Sequence, residues 1–178
     1  LVLSGQANRM VDADDPEWLI STFYGLENGT VNSIWAIEGS ITPGEGEIVI
    51  DAHFAQDEDI EMKIGDSIEV IVGEGGFQTL EVVGFANSPL ELFYAVPGSI
   101  IPQTSTFVVG YLDVGYLANI SGNTLDARNT LSIDLEGTPH FDLSDTEENE
   151  GEELQLLKDN ISGFMTAAGT NGTVVDRG

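Results

Sequence analysis

The sequence predicts an α+β fold, and three observations carry that expectation. Short runs of β-branched residues, separated by glycine turns, crowd the stretch from Glu47 to Phe85. Apolar residues at helical spacing occupy the flanks, from Leu19 to Leu26 and again from Leu154 to Met165. An apolar fraction of 41% in 178 residues is enough for a packed interior. The expected arrangement is a β-α-β platform formed by both flanks, residues 1–38 and 98–178. A β-rich subdomain, residues 39–97, is inserted between them.

The elements follow in order. Leu1 to Leu3 can end a strand, and a polar stretch runs on to Asp15. Asp15-Pro16-Glu17 reads as a helix start, with an N-cap carboxylate, a proline in the first turn and an acid that suits the helix dipole. Leu19, Ile20, Phe23, Tyr24 and Leu26 continue that helix until Asn28-Gly29 stops it. Val31 to Ile37 is expected to be a strand carrying Trp35, and the loop from Gly39 to Gly46 marks the subdomain boundary.

Within the insertion, Glu47 to Ile50 is a buried strand and Asp51 caps a short helix from Ala52 to Gln56. Gly65-Asp66 turns the chain into a strand from Ser67 to Val72. Gly73-Glu74-Gly75-Gly76 then closes a hairpin onto Phe77 to Phe85. Such spacing suggests a small sheet or a partly open barrel.

Beyond it, Phe107 to Leu112 is a strand, and Asp113 caps a helix with Val114, Leu117 and Ile120 on one face, ending near Gly122. Leu131, Ile133 and Leu135 alternate with polar residues as in a half-buried strand. Asp145 to Glu153 is nearly all acidic and must be solvated. Leu154, Leu157, Ile161, Phe164 and Met165 line one side of the most regular amphipathic helix, and Val174-Val175 hints at a last strand.

Charge narrows the function classes. Five Lys and Arg stand against 31 Asp and Glu, a net charge of -26. Such a surface repels phosphate backbones and anionic headgroups, which argues against nucleic acid as a partner. The acidity fits either a saline setting, where salt screens self-repulsion, or simply an acidic extracellular face. Cysteine is absent, so disulfides, thiolate metal sites and Cys nucleophiles are excluded. No apolar run reaches the roughly 20 residues that a membrane-spanning helix requires. The start at Leu1, with neither Met nor a basic-then-apolar leader, is the pattern expected of a piece of a larger protein. Asn28, Asn119, Asn160 and Asn171 head glycosylation-type sequons, which lean towards an extracytoplasmic location.

Catalytic and ligand motifs are weak. His53 and His140 read as a helix-start and a loop residue, because no nucleophile elbow of the G-x-S-x-G kind accompanies them. Asp57-Glu58-Asp59-Ile60-Glu61 and Asp12-Ala13-Asp14-Asp15 alternate or cluster carboxylates but lack the glycine and terminal acid of a calcium loop. Gly44-Glu45-Gly46 and Gly73 to Gly76 do not complete a phosphate loop, and their acids would oppose a phosphate. No catalytic, metal-binding or cofactor residue is therefore assigned, and the expectation is a non-enzymatic protein. The candidate contact for a partner or substrate is Leu92, Phe93 and Tyr94, an apolar run between Pro89 and Pro97. The same run could instead fold in as a satellite core.

An ordered set of residues in the middle of the chain resembles a known family. Glu38-Gly39 is followed by Gly46-Glu47-Ile48-Val49-Ile50-Asp51, Ala55, Lys63-Ile64-Gly65-Asp66-Ser67-Ile68 and Val82-Val83-Gly84. The order is similar to that of the extracytoplasmic, MacB-like periplasmic domain of FtsX/MacB/LolC-type ABC transporter permeases. The match runs from about Glu38 to Pro89, and the flanks agree in element order. The resemblance implies a membrane protein fragment lying outside the cytoplasm, at the cell surface or in the periplasm, and tethered to the membrane in the full-length protein. Its implied partners are transmembrane helices of the same permease, a cytoplasmic ATPase subunit or domain, and an extracytoplasmic protein or lipidic substrate. The implied role is to couple ATPase-driven motion to substrate export, lipoprotein release or partner regulation. The alternative is a free-standing acidic secreted or surface binding module.

Overall fold

In the computed structural model of the chain, residues 1–8, 18–27, 32–57, 60, 62–91, 106–130, 156 and 159–166 are described. The chain divides into two compact units, Leu1–Asp134 and Leu135–Gly178. The first is a strand-rich α+β unit with few helices. Its strands are β1 (Val2–Asn8), β2 (Trp18–Leu26), β3 (Trp35–Gly39), β4 (Glu47–Asp51), β5 (Ser67–Val72), β6 (Phe77–Asn87) and β7 (Phe107–Asp113). Two short helices, α1 (Ala52–Ala55) and α2 (Val114–Ile120), follow β4 and β7. In the second unit, residues 159–166 are helical, with Ile161 and Met165 half-buried and Phe164 exposed.

The strands form one sheet in the order β3-β6-β4-β7-β2-β1-β5, and a further β6–β5 pairing closes six of them into a barrel. β2 lies parallel to β7, and β4 lies parallel to β6. The other pairings are antiparallel. Strands from residues 1–38 and 98–178 thus share one barrel with strands from residues 39–97.

The core lies inside this barrel. Phe23 is fully buried, and bare glycine backbone on two strands makes room for it. A Cβ at Gly5 would stand 2.8 Å from Phe23 Cε2, and one at Gly110 would stand 3.0 Å from Phe23 Cδ1. Leu19, Ile48, Ile50, Ile68, Val70, Leu80 and Val82 are also buried in this cluster. A central aromatic ring flanked by glycines lets the strands approach without leaving a void.

One expected element is corrected. The helix placed over Asp15 to Leu26 is the strand β2 across its described part, Trp18–Leu26. The spacing of Leu19, Ile20, Phe23, Tyr24 and Leu26 suits a helix, but the same run is rich in Trp, Ile, Thr, Phe and Tyr, all good strand formers. Within β2, Ser21, Thr22 and Phe23 are buried in succession, so both faces are covered there. That pattern erases the clean alternation by which a half-exposed strand is recognised. The first flank accordingly reads β-β-β. The third strand spans Trp35–Gly39, shifted from the expected Val31 to Ile37, and Val31 is outside the described residues.

Other local expectations agree with the structure. Asp51 caps α1, accepting from the His53 backbone N–H at 3.0 Å, and Asp113 caps α2, accepting from the Tyr116 N–H at 2.9 Å. β5 spans the expected Ser67–Val72 and pairs with β6 as a hairpin. α2 buries Val114, Leu117 and Ile120 together and is followed, after its cap Ser121, by Gly122 with φ +76°. Leu131, Ile133, Leu135, His140, the acidic run Asp145 to Glu153, Leu154, Leu157, Val174 and Val175 are outside the described residues.

Candidate functional site

The residues that carry the family resemblance converge on one stretch of β6. Gly39 faces Gly84 in the β3–β6 register, and Val49 faces Gly84 in the β4–β6 register. The contact is backbone to backbone. A Cβ on Gly84 would sit 2.1 Å from the Ser40 carbonyl oxygen, and one on Gly39, which has φ +72°, would sit 2.4 Å from that of Val83. The Gly65-Asp66 turn is sewn to the same place. Gly65 N–H donates to the Val82 carbonyl at 2.8 Å, and Val82 N–H donates to the Asp66 carbonyl at 2.8 Å. Asp66 Oδ2 also accepts from the Lys63 N–H at 2.7 Å, so its side chain closes the turn on its own backbone. These residues are structural in their chemistry.

A polar network adjoins this framework, and sequence reasoning missed it. Asp51 is fully buried, and each of its oxygens is engaged. Oδ1 accepts from the His53 backbone and lies 2.7 Å from His53 Nδ1, while Oδ2 accepts from the Tyr111 hydroxyl at 2.9 Å. The Tyr111 ring stacks on Tyr24, with centroids 5.7 Å apart and planes 26° from parallel. The Tyr24 hydroxyl in turn donates to Glu91 Oε1 at 2.5 Å, and Glu91 is itself buried. Burial, followed by the neighbouring Asp51 carboxylate, holds the Tyr111 phenol far above its ordinary pKa, so it stays a hydrogen-bond donor.

This network anchors the root of the candidate contact run. Glu91 ends a short 3-10 turn, Pro89–Glu91, in which Ser88 Oγ accepts from Leu90 N–H at 3.1 Å and the Ser88 carbonyl accepts from Glu91 N–H at 3.1 Å. Leu92, Phe93 and Tyr94 come next and are outside the described residues. The two bonds that join separate segments, Asp51 to Tyr111 and Tyr24 to Glu91, link residues 60 and 67 positions apart, and no local signal announces them.

His53 lies in the first turn of α1 with its side chain 42% exposed, which agrees with its reading as a helix-start residue. Of the carboxylate cluster Asp57 to Glu61, Glu58, Asp59 and Glu61 are outside the described residues, as is Asp12 to Asp15. Among the described residues, no group of three or more His, Asp or Glu is placed to hold a metal ion. Of the sequon asparagines, Asn119 and Asn160 are exposed, and Asn28 and Asn171 are outside the described residues. Among the described residues, no helix is long and apolar enough to cross a membrane.

No family model matches the chain, and comparison with curated proteins gives no match.

Proposed function

We propose that this chain is the extracytoplasmic domain of an ABC-type permease, a non-enzymatic module that transmits ATPase-driven motion to a substrate or partner outside the membrane. The observation that carries the reading is the ordered set from Glu38 to Gly84, which resembles the FtsX/MacB/LolC-type pattern. Its support from the fold is that these scattered residues meet at Val82 to Gly84, as a set that makes a fold should.

In this reading residues 39–97 are the insertion and residues 1–38 with 98–178 the platform, both contributing strands to the one barrel. Within the platform, α2 follows β7 directly. Leu92, Phe93 and Tyr94 are the contact for an extracytoplasmic protein or lipidic substrate.

Residues 1–178 contain no cysteine, so a cysteine introduced among them is the one thiol of this segment. A single Leu125→Cys substitution, at a side chain that is 67% exposed, is introduced into the full-length gene product. A membrane-impermeant maleimide should label it in intact cells, and the labelled protein should stay with membranes after a carbonate wash and co-purify with ATPase activity. Labelling only after lysis overturns the extracytoplasmic placement. Release by carbonate instead assigns the chain to a free-standing surface module. Changing Phe93 and Tyr94 to Ser should leave stability within about 0.5 kcal/mol. A loss of several kcal/mol would make them core and remove the contact assignment.

A further inference from the structure

A closed barrel has no sheet edges, and among the described residues six of the seven strands are closed. β3 stands outside that closure. It pairs with Gly84 to Asn87 of β6, beyond the segment Phe77 to Glu81 that β5 occupies, and it terminates the strand order. All five of its residues are exposed, among them Trp35 at 47% and Ile37 at 46%. Ile64, 41% exposed, extends this apolar line, because a Cβ on Gly39 would lie 2.6 Å from its Cδ1. Large apolar side chains on an open edge strand are what natural sheets ordinarily avoid, and neither Lys nor Pro blunts this one. Its guards are its brevity and the register shift between Ala36 and Glu38. Such a bulge twists the edge, so an added strand has to match it, which makes pairing selective.

Charge decides what can be added. A second copy would bring another body of net charge -26 against the first. Glu38, the one charged residue of the strand, is an acid. We propose that β3 is a docking edge for an extended, cationic segment of a partner protein, added to the sheet as a further strand with Trp35 and Ile37 as its anchors. Main-chain hydrogen bonds would supply affinity, and alternate side chains of the added strand would supply specificity. The inference stands independently of the permease reading.

The test uses the purified chain and a short peptide alternating Val and Lys, with a Val and Glu peptide as control. Amide exchange is followed residue by residue. The Val/Lys peptide should slow exchange of the Trp35–Gly39 amides by about tenfold or more, equivalent to at least 1.4 kcal/mol of protection. Trp35→Ser and Ile37→Ser should abolish that protection while the melting temperature stays close to that of the parent. Equal protection by the Val/Glu peptide, protection mapping to other strands, or no protection overturns the proposal. So does a dimer paired through β3 in physiological salt without peptide, which would assign the edge to a second copy.

Discussion

The side-chain amide of Asn129 closes on both backbone groups of Val2. Its Oδ1 accepts from the Val2 N–H at 2.8 Å, and its Nδ2 donates to the Val2 carbonyl at 2.6 Å. The pair mimics one rung of a β ladder and ties the segment after α2 to the first strand. Arg128 reinforces it, donating through Nε to Glu27 Oε1 at 2.9 Å, next to the end of β2. Asn129→Ala should cost about 1 kcal/mol in a urea melt, since the groups it frees are exposed and can turn to water. An unchanged midpoint would mean that the clamp adds nothing to stability.

The barrel centre is far less tolerant. Phe23→Ala should destabilise by about 3–5 kcal/mol, because the strands carrying Gly5 and Gly110 cannot collapse into the space left behind. Phe77 provides the contrast. It is 67% exposed at the start of β6, and Phe77→Ser should change stability by no more than about 0.5 kcal/mol. Equilibrium denaturation of the two variants measures both.

Tyr111→Phe removes one donor from a carboxylate that is otherwise closed off from water. The expected cost is about 1.5–3 kcal/mol, the range for hydrogen bonds to charged groups. A double-mutant cycle with Asp51→Ala should show strong coupling, since with Asp51 gone the hydroxyl has lost its acceptor. Additive effects would mean that the two side chains act separately.

Acid should act on the exposed pair at the barrel's rim. The hydrogen bond from Arg128 holds the Glu27 carboxyl below its ordinary pKa. A depressed folded-state pKa means that the stabilisation is fully present above the unfolded-state value and is lost as pH falls through the folded one. The difference in melting temperature between the parent and Glu27→Gln should therefore shrink on acidification below the ordinary carboxylate range. A difference that stays constant with pH would exclude the linkage.

Salt should act on the whole molecule in the opposite sense to its effect on that pair. With 31 acids against five fixed cations, screening removes far more repulsion than attraction. Raising KCl to molar concentration should raise the melting temperature. A flat or falling curve would remove the argument for adaptation to a saline setting.

What could be read without a structure was local. Asp51 and Asp113 announce their helices because a capping carboxylate acts within three residues of itself. The hairpin from Ser67 to Phe85 is legible because Gly73 to Gly76 can only be a turn between two β-branched runs. The order of strands depended on pairings that no local pattern encodes. β2 is a strand because β1 and β7 hydrogen-bond it on both sides, and those pairings override an apolar spacing that also fits a helix. The network from Asp51 through Tyr111 and Tyr24 to Glu91 exists only after four separate segments are brought together. Desolvation then makes each of its hydrogen bonds obligatory. The open edge at β3 is likewise a property of closure: Trp35 and Ile37 look like any strand residues until the other six strands seal into a barrel and leave theirs outside.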